Sequence, residues 1–208
     1  MRFGFLSVSL EIITSYCFSQ HTGAIETPGF RDPTIAAIEG TNNIFFINQH
    51  FPFLGPLIFG HKLKKLFQVN LFGKSEEALK GLHGVLQARV KEVLTNPASL
   101  DVAEHETVFH HLISSESRMK MLSPGEKPNI PSATSLFQEA GVLVMAGTGT
   151  VGNVCSRGMY YVLGKEEVRE KLVRELTDAW PDREQRLDLD KLEKLPYLVR
   201  LWTCYLRS

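Results

Sequence analysis

The sequence predicts an all-α fold, mainly helical, with one long central helix, surrounding helices and little or no sheet. Three observations carry this. Apolar residues from Leu136 to Val154 recur at steps of three and four (Leu136, Ala140, Leu143, Gly147, Val151, Val154), the period of a helix face. Two further segments, Gly73–Thr95 and Lys165–Trp180, show helical patterning and end in stop signals. No stretch alternates apolar and polar residues with the period of two that a half-buried strand needs.

The central stretch, LFQEAGVLVMAGTGTVGNV, admits two readings. As strand, turn and helix, Gly147, Gly149 and Gly152 spell G-x-G-x-x-G, a pyrophosphate-binding fingerprint that would imply an NAD(P)-dependent oxidoreductase. As one helix spanning about Ser135–Tyr160, Ala146, Gly147 and Thr150 spell A-G-x-x-T, with small residues opening one face to a flat ligand. The spacing favours the helix. Pro131 and Ser132 precede it, and Ser135 with Gln138 fits a capping box. The nucleotide reading needs a second strand, for which only Met159–Leu163 is available. That leaves Asn153–Gly158 for the crossover, which is too short. The helix must in turn tolerate glycines that each cost about 1 kcal/mol against alanine, so something large should pack on them.

The remaining segments follow in order. Phe5–Phe18 reads as a helix, His21–Pro33 as a loop and Thr34–Phe46 as a second helix. His50–Gly60 reads as a hydrophobic loop rich in Phe, Pro and Gly. In Gly73–Thr95, Leu79, Leu82, Leu86, Val90 and Val93 share one face, and Asn96-Pro97 stops the helix. Glu106–Ile113 reads as a short helix. Its His110 and His111 are adjacent, point to different faces and are read as structural. Ser117–Pro131 reads as a loop. In Lys165–Trp180 the pairs Glu167–Lys171 and Glu170–Arg174 lie at i,i+4 on a solvated face, and Pro181 ends the helix. Leu189–Leu198 holds a short helix, then the opening of another near Pro196.

Composition excludes several classes. The chain has 208 residues, 43% hydrophobic and 22% charged, and a formal net charge of zero. That is a globular composition, with no basic stripe for nucleic acid. Cys17, Cys155 and Cys204 are far apart and form neither a disulfide framework nor a metal-ligand spacing. No run of 18 apolar residues exists, so no transmembrane helix is expected. The start, MRFGFLSVSLEIITSYCF, has the basic-then-apolar order of a signal peptide, but Glu11 interrupts it.

The ordered set of segments resembles the cytochrome P450 family, most closely its filamentous-fungal members. Ala146, Gly147 and Thr150 match the family's A/G-G-x-D/E-T-T/S helix across the distal face of the haem (heme). TVFHHLISSE and PGEK resemble the lead-in to that helix, VLGKEEVREKLVREL the helix after it, LEKLPYL the entry to the E-x-x-R helix, and LEIITSYCFSQ an early helix. The likeness is weak from Met1 to Gly73 and good from Phe137 to Leu198. There are departures. Gly149 stands at the acid position, Val151 at the second hydroxyl and Cys204 at the E-x-x-R glutamate, while Arg207 falls on its arginine. VRLWTCYLRS looks little like the family, so the chain reads as one partial P450 domain over 1–208.

The resemblance implies a haem-dependent monooxygenase acting on an apolar small molecule, in fungal secondary metabolism, and NADPH–P450 reductase as electron donor. It implies that Ala146 and Gly147 give room at the distal haem face and that Thr150 relays protons. The iron-binding thiolate loop of the family has no match here. Cys17 lies in an early helix, Cys155 on the distal helix and Cys204 without the glycines of a ligand loop, so this chain alone is expected to be inactive. A third reading is a non-catalytic helical interaction protein. Family members are usually anchored in the endoplasmic reticulum membrane, a segment with no match here.

Overall fold

In a computed structural model of the chain, the structure describes residues 1–51, 73–102, 105–114, 131–185 and 187–206. Among these every regular element is helical and no strand occurs. The predicted loops lie outside the described residues over 52–60 and 117–130. No helix among the described residues is long and apolar enough to cross a membrane. The residues group into two compact units, Met1–Gly152 and Asn153–Ser208.

The first unit opens with α1, Arg2–Phe18. Its C-terminus is closed by Ser19 in the left-handed conformation, whose amide reaches the Ser15 carbonyl. The following loop is tied back by Glu11. Its carboxylate accepts hydrogen bonds from the Thr22 amide (3.0 Å), the Thr22 hydroxyl (2.7 Å) and the Ala24 amide (2.6 Å). The residue that breaks the signal-like apolar run is thus the anchor of a turn. A single 3₁₀ turn, Pro28–Phe30, precedes α2, Pro33–His50. α2 starts one residue before the expected Thr34 because Asp32 caps it: its carboxylate accepts from the Thr34 amide at 2.7 Å, and Pro33 suits the first helical position. It runs on to His50, four residues beyond the predicted end at Phe46.

α3 spans Gly73–Thr95, as its spacing predicts, and passes through Asn96 into a 3₁₀ segment, Pro97–Val102. Leu82, Leu86, Val90 and Val93 of its apolar face are all buried. They pack with Leu6, Leu10 and Phe18 of α1, Ile35 and Ile38 of α2, and Leu100. α4, Val108–Ile113, is short and well capped. The Thr107 hydroxyl accepts from the His110 amide, and His110 Nδ1 accepts from the Thr107 amide at 3.0 Å. His110 Nε2 sits 2.9 Å from Asp101 Oδ1, so with Nδ1 accepting it is the donor there. His111 Nε2 lies 3.2 Å from Glu106. Both histidines therefore have structural partners. Phe109 of α4 is fully buried, its ring centroid 4.5 Å from that of Phe18.

The central helix, α5, is continuous over Ala133–Leu163, longer at both ends than Ser135–Tyr160. The expected capping box is corrected by this start. Ser135 is already helical, and the capping hydroxyl is that of Ser132, which accepts from the Ser135 amide at 3.1 Å. Leu136, Ala140 and Val144 turn into the core. So does Thr148, which is fully buried with no hydrogen-bond partner for its hydroxyl. Thr148→Val removes an unsatisfied hydroxyl at nearly equal shape and helix propensity. We expect it to stabilise the chain by about 1 kcal/mol, read as a higher urea midpoint; a lower midpoint would mean the hydroxyl is partnered.

In the second unit α6, Glu166–Ala179, carries Glu166 and Glu167 in its first turn, where the helix dipole favours negative charge. The predicted pairs at i,i+4 are not what forms; Arg169 pairs instead with Glu166, one turn back. The helix closes at Trp180, whose indole N–H donates to the Gln185 carbonyl at 2.8 Å. A short α7, Leu189–Leu192, leads to α8, Pro196–Leu206. Glu175 of α6 caps α8 from outside: its two carboxylate oxygens accept the Tyr197 and Leu198 amides, each at 2.8 Å. This joins two segments that the sequence shows only as neighbours in order.

Candidate functional site

Helical repeat places Val142, Ala146 and Thr150 in one stripe along α5, each a turn beyond the last. All three are exposed, Val142 to 64%. No side chain in this stripe is larger than valine, so it forms a shallow, mostly apolar strip. Val142 is a member that the A-G-x-x-T motif does not name. Its signal was available, since it precedes Ala146 by one turn.

Gly147 lies about 100° round the helix from Ala146 and is half-buried. A β-carbon there would stand 2.6 Å from Ile13 Cγ1 and 2.8 Å from Ile13 Cδ1. On the next turn, a β-carbon on Gly152 would stand 2.7 Å from Leu6 Cδ2 and 3.0 Å from Leu6 Cα. α1 thus packs against α5 where the glycines leave room. The structure brings Ala146 and Thr150 together on the open stripe and sets Gly147 at its flank, against α1. Gly149, at the acid position, is buried.

The Thr150 hydroxyl donates to the Ala146 carbonyl within the helix. Its proton is engaged there, and its oxygen keeps accepting capacity. Gly147, Gly149 and Gly152 all lie inside the continuous α5, with no strand before them. They form no strand-to-helix turn that could cradle a pyrophosphate, so the nucleotide reading falls.

Among the described residues no group of three or more His, Cys, Asp or Glu side chains is placed to hold a metal ion. Cys17 is buried, and burial pushes its thiol up to about 11, which opposes thiolate formation. Cys155 is a half-buried free thiol. The side chain of Cys204, and Arg207 altogether, lie outside the described residues.

Comparison with known proteins decides the family. The family model described as Cytochrome P450 matches residues 1–202. The chain belongs to the cytochrome P450 family. The match runs past Leu198, where the residue-by-residue likeness fades, and reaches back to Met1, where it is weak. Among P450 relatives, the chain is 28% identical over 199 residues to the cytochrome P450 monooxygenase orf6 of Eupenicillium brefeldianum, covering 94% of this chain and 37% of that protein. It is 31% identical over 205 residues to the cytochrome P450 monooxygenase tpcC of Cochliobolus heterostrophus, covering 94% and 35%. It is 24% identical over 200 residues to the tryptophan 6-hydroxylase fscE of Fusarium equiseti, covering 94% and 36%. The P450 chain described here therefore spans little more than a third of the length of these relatives.

Haem is the cofactor of the P450 family. The exposed stripe of Val142, Ala146 and Thr150 fits one face of it: a flat macrocycle can lie against small side chains, and a hydroxyl stands among them. Neither cysteine whose side chain is described stands in that stripe.

Proposed function

We propose that this chain is part of a cytochrome P450 monooxygenase, one partial domain over 1–208 that supplies the distal wall of the haem site. The observation that carries this reading is the open stripe of Ala146 and Thr150 on α5, inside the family match. The whole protein would oxidise an apolar small molecule, in fungal secondary metabolism as its relatives suggest, with electrons from NADPH–P450 reductase. When bound through a thiolate, haem supplies the activation of dioxygen.

The chain's own residues have narrower tasks. Val142 and Ala146 exclude water from the face they cover and leave room for a small ligand. Gly147 flanks that space by its backbone, while Ile13 occupies the volume on its other side. Thr150 Oγ1 accepts a hydrogen bond from a water on the open side while its own proton rests on the Ala146 carbonyl. Proton transfer through Thr150 requires that bond to open. With Gly149 in place of an acid, water alone must bring the proton to Thr150. This predicts poor coupling of electron flow to substrate oxidation. The iron-ligand thiolate is assigned to none of Cys17, Cys155 and Cys204.

Haem titration of the purified chain tests the reading. Haem binding, followed in the Soret band, should weaken about tenfold in Ala146→Phe, equivalent to about 1.4 kcal/mol. Equal affinity of the variant and the parent would remove Ala146 from the haem face. With carbon monoxide after reduction, the parent should give no red-shifted thiolate band. Such a band, lost in Cys155→Ser or Cys204→Ser, would identify an unforeseen ligand.

A further inference from the structure

The second unit holds little core. Among its described residues only Ser156 and Val162 are buried, and neither α6 nor α7 buries a side chain. On α6 the shielded positions are Val168, Leu172, Glu175, Leu176 and Ala179, all half-buried and on one face by helical spacing. On α8, which packs on α6, Tyr197, Leu198 and Leu201 are half-buried, while Val199, Arg200 and Thr203 are exposed. Glu175 is the one charged side chain in the α6 stripe, and it is the residue that reaches α8.

The start of α8 has no cap of its own. Leu195 is its N-cap, since the Leu195 carbonyl accepts the Val199 amide at 2.9 Å, and the leucine side chain offers no acceptor. Pro196 has no amide proton. The first-turn donors that need an acceptor are therefore the Tyr197 and Leu198 amides, and Glu175 takes one on each oxygen, both at 2.8 Å. No Lys, Arg or His forms an ion pair with Glu175 among the described residues. Its charge is spent on the N-terminus of α8, where the helix dipole favours an anion and the hydrogen bonds are charge-assisted. Among the described residues these two bonds are the hydrogen bonds that join α8 to α6.

We propose that Glu175 is a latch. It holds α8 docked on α6, and loss of its two bonds releases α8 as a unit while α6 and the first unit stay folded. The release is cooperative because α8 has 11 residues, a length that is marginal as a helix in water without a surface to lie on. The shallow apolar contact cannot replace the latch, since none of its described side chains is fully buried. Opening uncovers the stripe of Val168, Leu172 and Leu176, so the latch also governs when the second unit presents an apolar face.

Amide hydrogen exchange of the 208-residue chain at fixed pH tests this. In Glu175→Ala, the amides from Tyr197 through Leu206 should all exchange on the order of 100-fold faster, since a hydrogen bond to a charged group corresponds to about tenfold or more in an equilibrium and two are lost. Those of Leu172 and Leu176 in α6, and of Leu82 and Leu86 in α3, should keep their rates. Glu175→Gln, with one acceptor oxygen left, should fall between. Adding Leu195→Asp to Glu175→Ala gives Tyr197 and Leu198 a local acceptor without a link to α6. The amides of α8 should stay fast in this double variant. Four results would each overturn the latch: unchanged rates in Glu175→Ala, acceleration confined to Tyr197 and Leu198, acceleration that spreads to α3, or parent rates restored by Leu195→Asp.

Discussion

Gly152→Ala is expected to lower the stability of the chain by about 1–3 kcal/mol, although alanine is ordinarily the better helix former by about 1 kcal/mol. The added β-carbon would lie 2.7 Å from Leu6 Cδ2, 3.0 Å from Leu6 Cα and 3.1 Å from Leu6 N. Two of these are backbone atoms, so no side-chain rotation relieves the overlap and α1 itself must shift. The three atoms nearest a β-carbon on Gly147 all belong to the side chain of Ile13, at 2.6, 2.8 and 3.0 Å. Ile13 can turn or be trimmed, so Gly147→Ala should cost less, and the cost should fall further in combination with Ile13→Ala. Gly158→Ala meets nothing within 4 Å and should gain up to about 1 kcal/mol. Urea midpoints should therefore rank Gly158→Ala above the parent, then Gly147→Ala, then Gly152→Ala. If Gly152→Ala matched Gly158→Ala, the close approach of α1 would be wrong. The contact has a functional side. Ile13 and Leu6 grip α5 on either edge of the face opposite Ala146, which fixes the rotation of the helix and keeps Ala146 and Thr150 outward.

This crossing also shows what the sequence could and could not reveal. The helical character of α3 and α5 was legible because apolar residues repeat locally at helical steps: Leu82, Leu86, Val90 and Val93 turn out buried together, as do Leu136 and Ala140, while Val144 takes the buried place expected of Leu143, and Val151 is exposed. The reason for the glycines was not. They invited two ligand-based accounts, a pyrophosphate turn and a flat macrocycle, whereas two of them face side chains of α1 more than a hundred residues earlier in the chain. A local pattern records that a helix face is small; it does not record what lies against it. Helix starts were misjudged for a related reason. Ser132 and Ser135 are chemically equal candidates for a cap, and only the path of the chain before them decides. Ala146 and Thr150 were legible as a pair because one turn of helix is a local distance, but Thr150's bond to the Ala146 carbonyl is a choice of rotamer, which spacing cannot express. Glu11 was visible only as a blemish in an apolar run, since its partners arrive after the helix has ended.

Glu11 should therefore be among the most sensitive side chains of the first unit. It is 8% exposed, and Ala24, one of its donors, is fully buried. Burial by itself would raise the Glu11 carboxyl, but the Thr22 hydroxyl, the Ala24 and Thr22 amides and nearby His21 together outweigh it and hold the group below its ordinary 4.5. Glu11→Ala leaves these donors without their common acceptor. Each hydrogen bond to a charged group is worth about 1.5–3 kcal/mol, and water reaching the opened site will recover part of the loss, so a net cost of about 3 kcal/mol is expected. Glu11→Gln keeps one carbonyl oxygen but turns the other position into a donor facing donors, so it should recover only part of that. The pH dependence has a definite sign. The folded state holds the proton less tightly than the unfolded state, so the contribution of Glu11 is fully present above the ordinary value of 4.5 and is lost as pH falls through its lower folded value. Urea denaturation at a series of pH values should show the parent separating from Glu11→Gln above 4.5 and approaching it progressively as pH falls below that value. Parallel profiles for the two proteins across that range would mean that the charge of Glu11 does not hold the turn at Thr22 and Ala24.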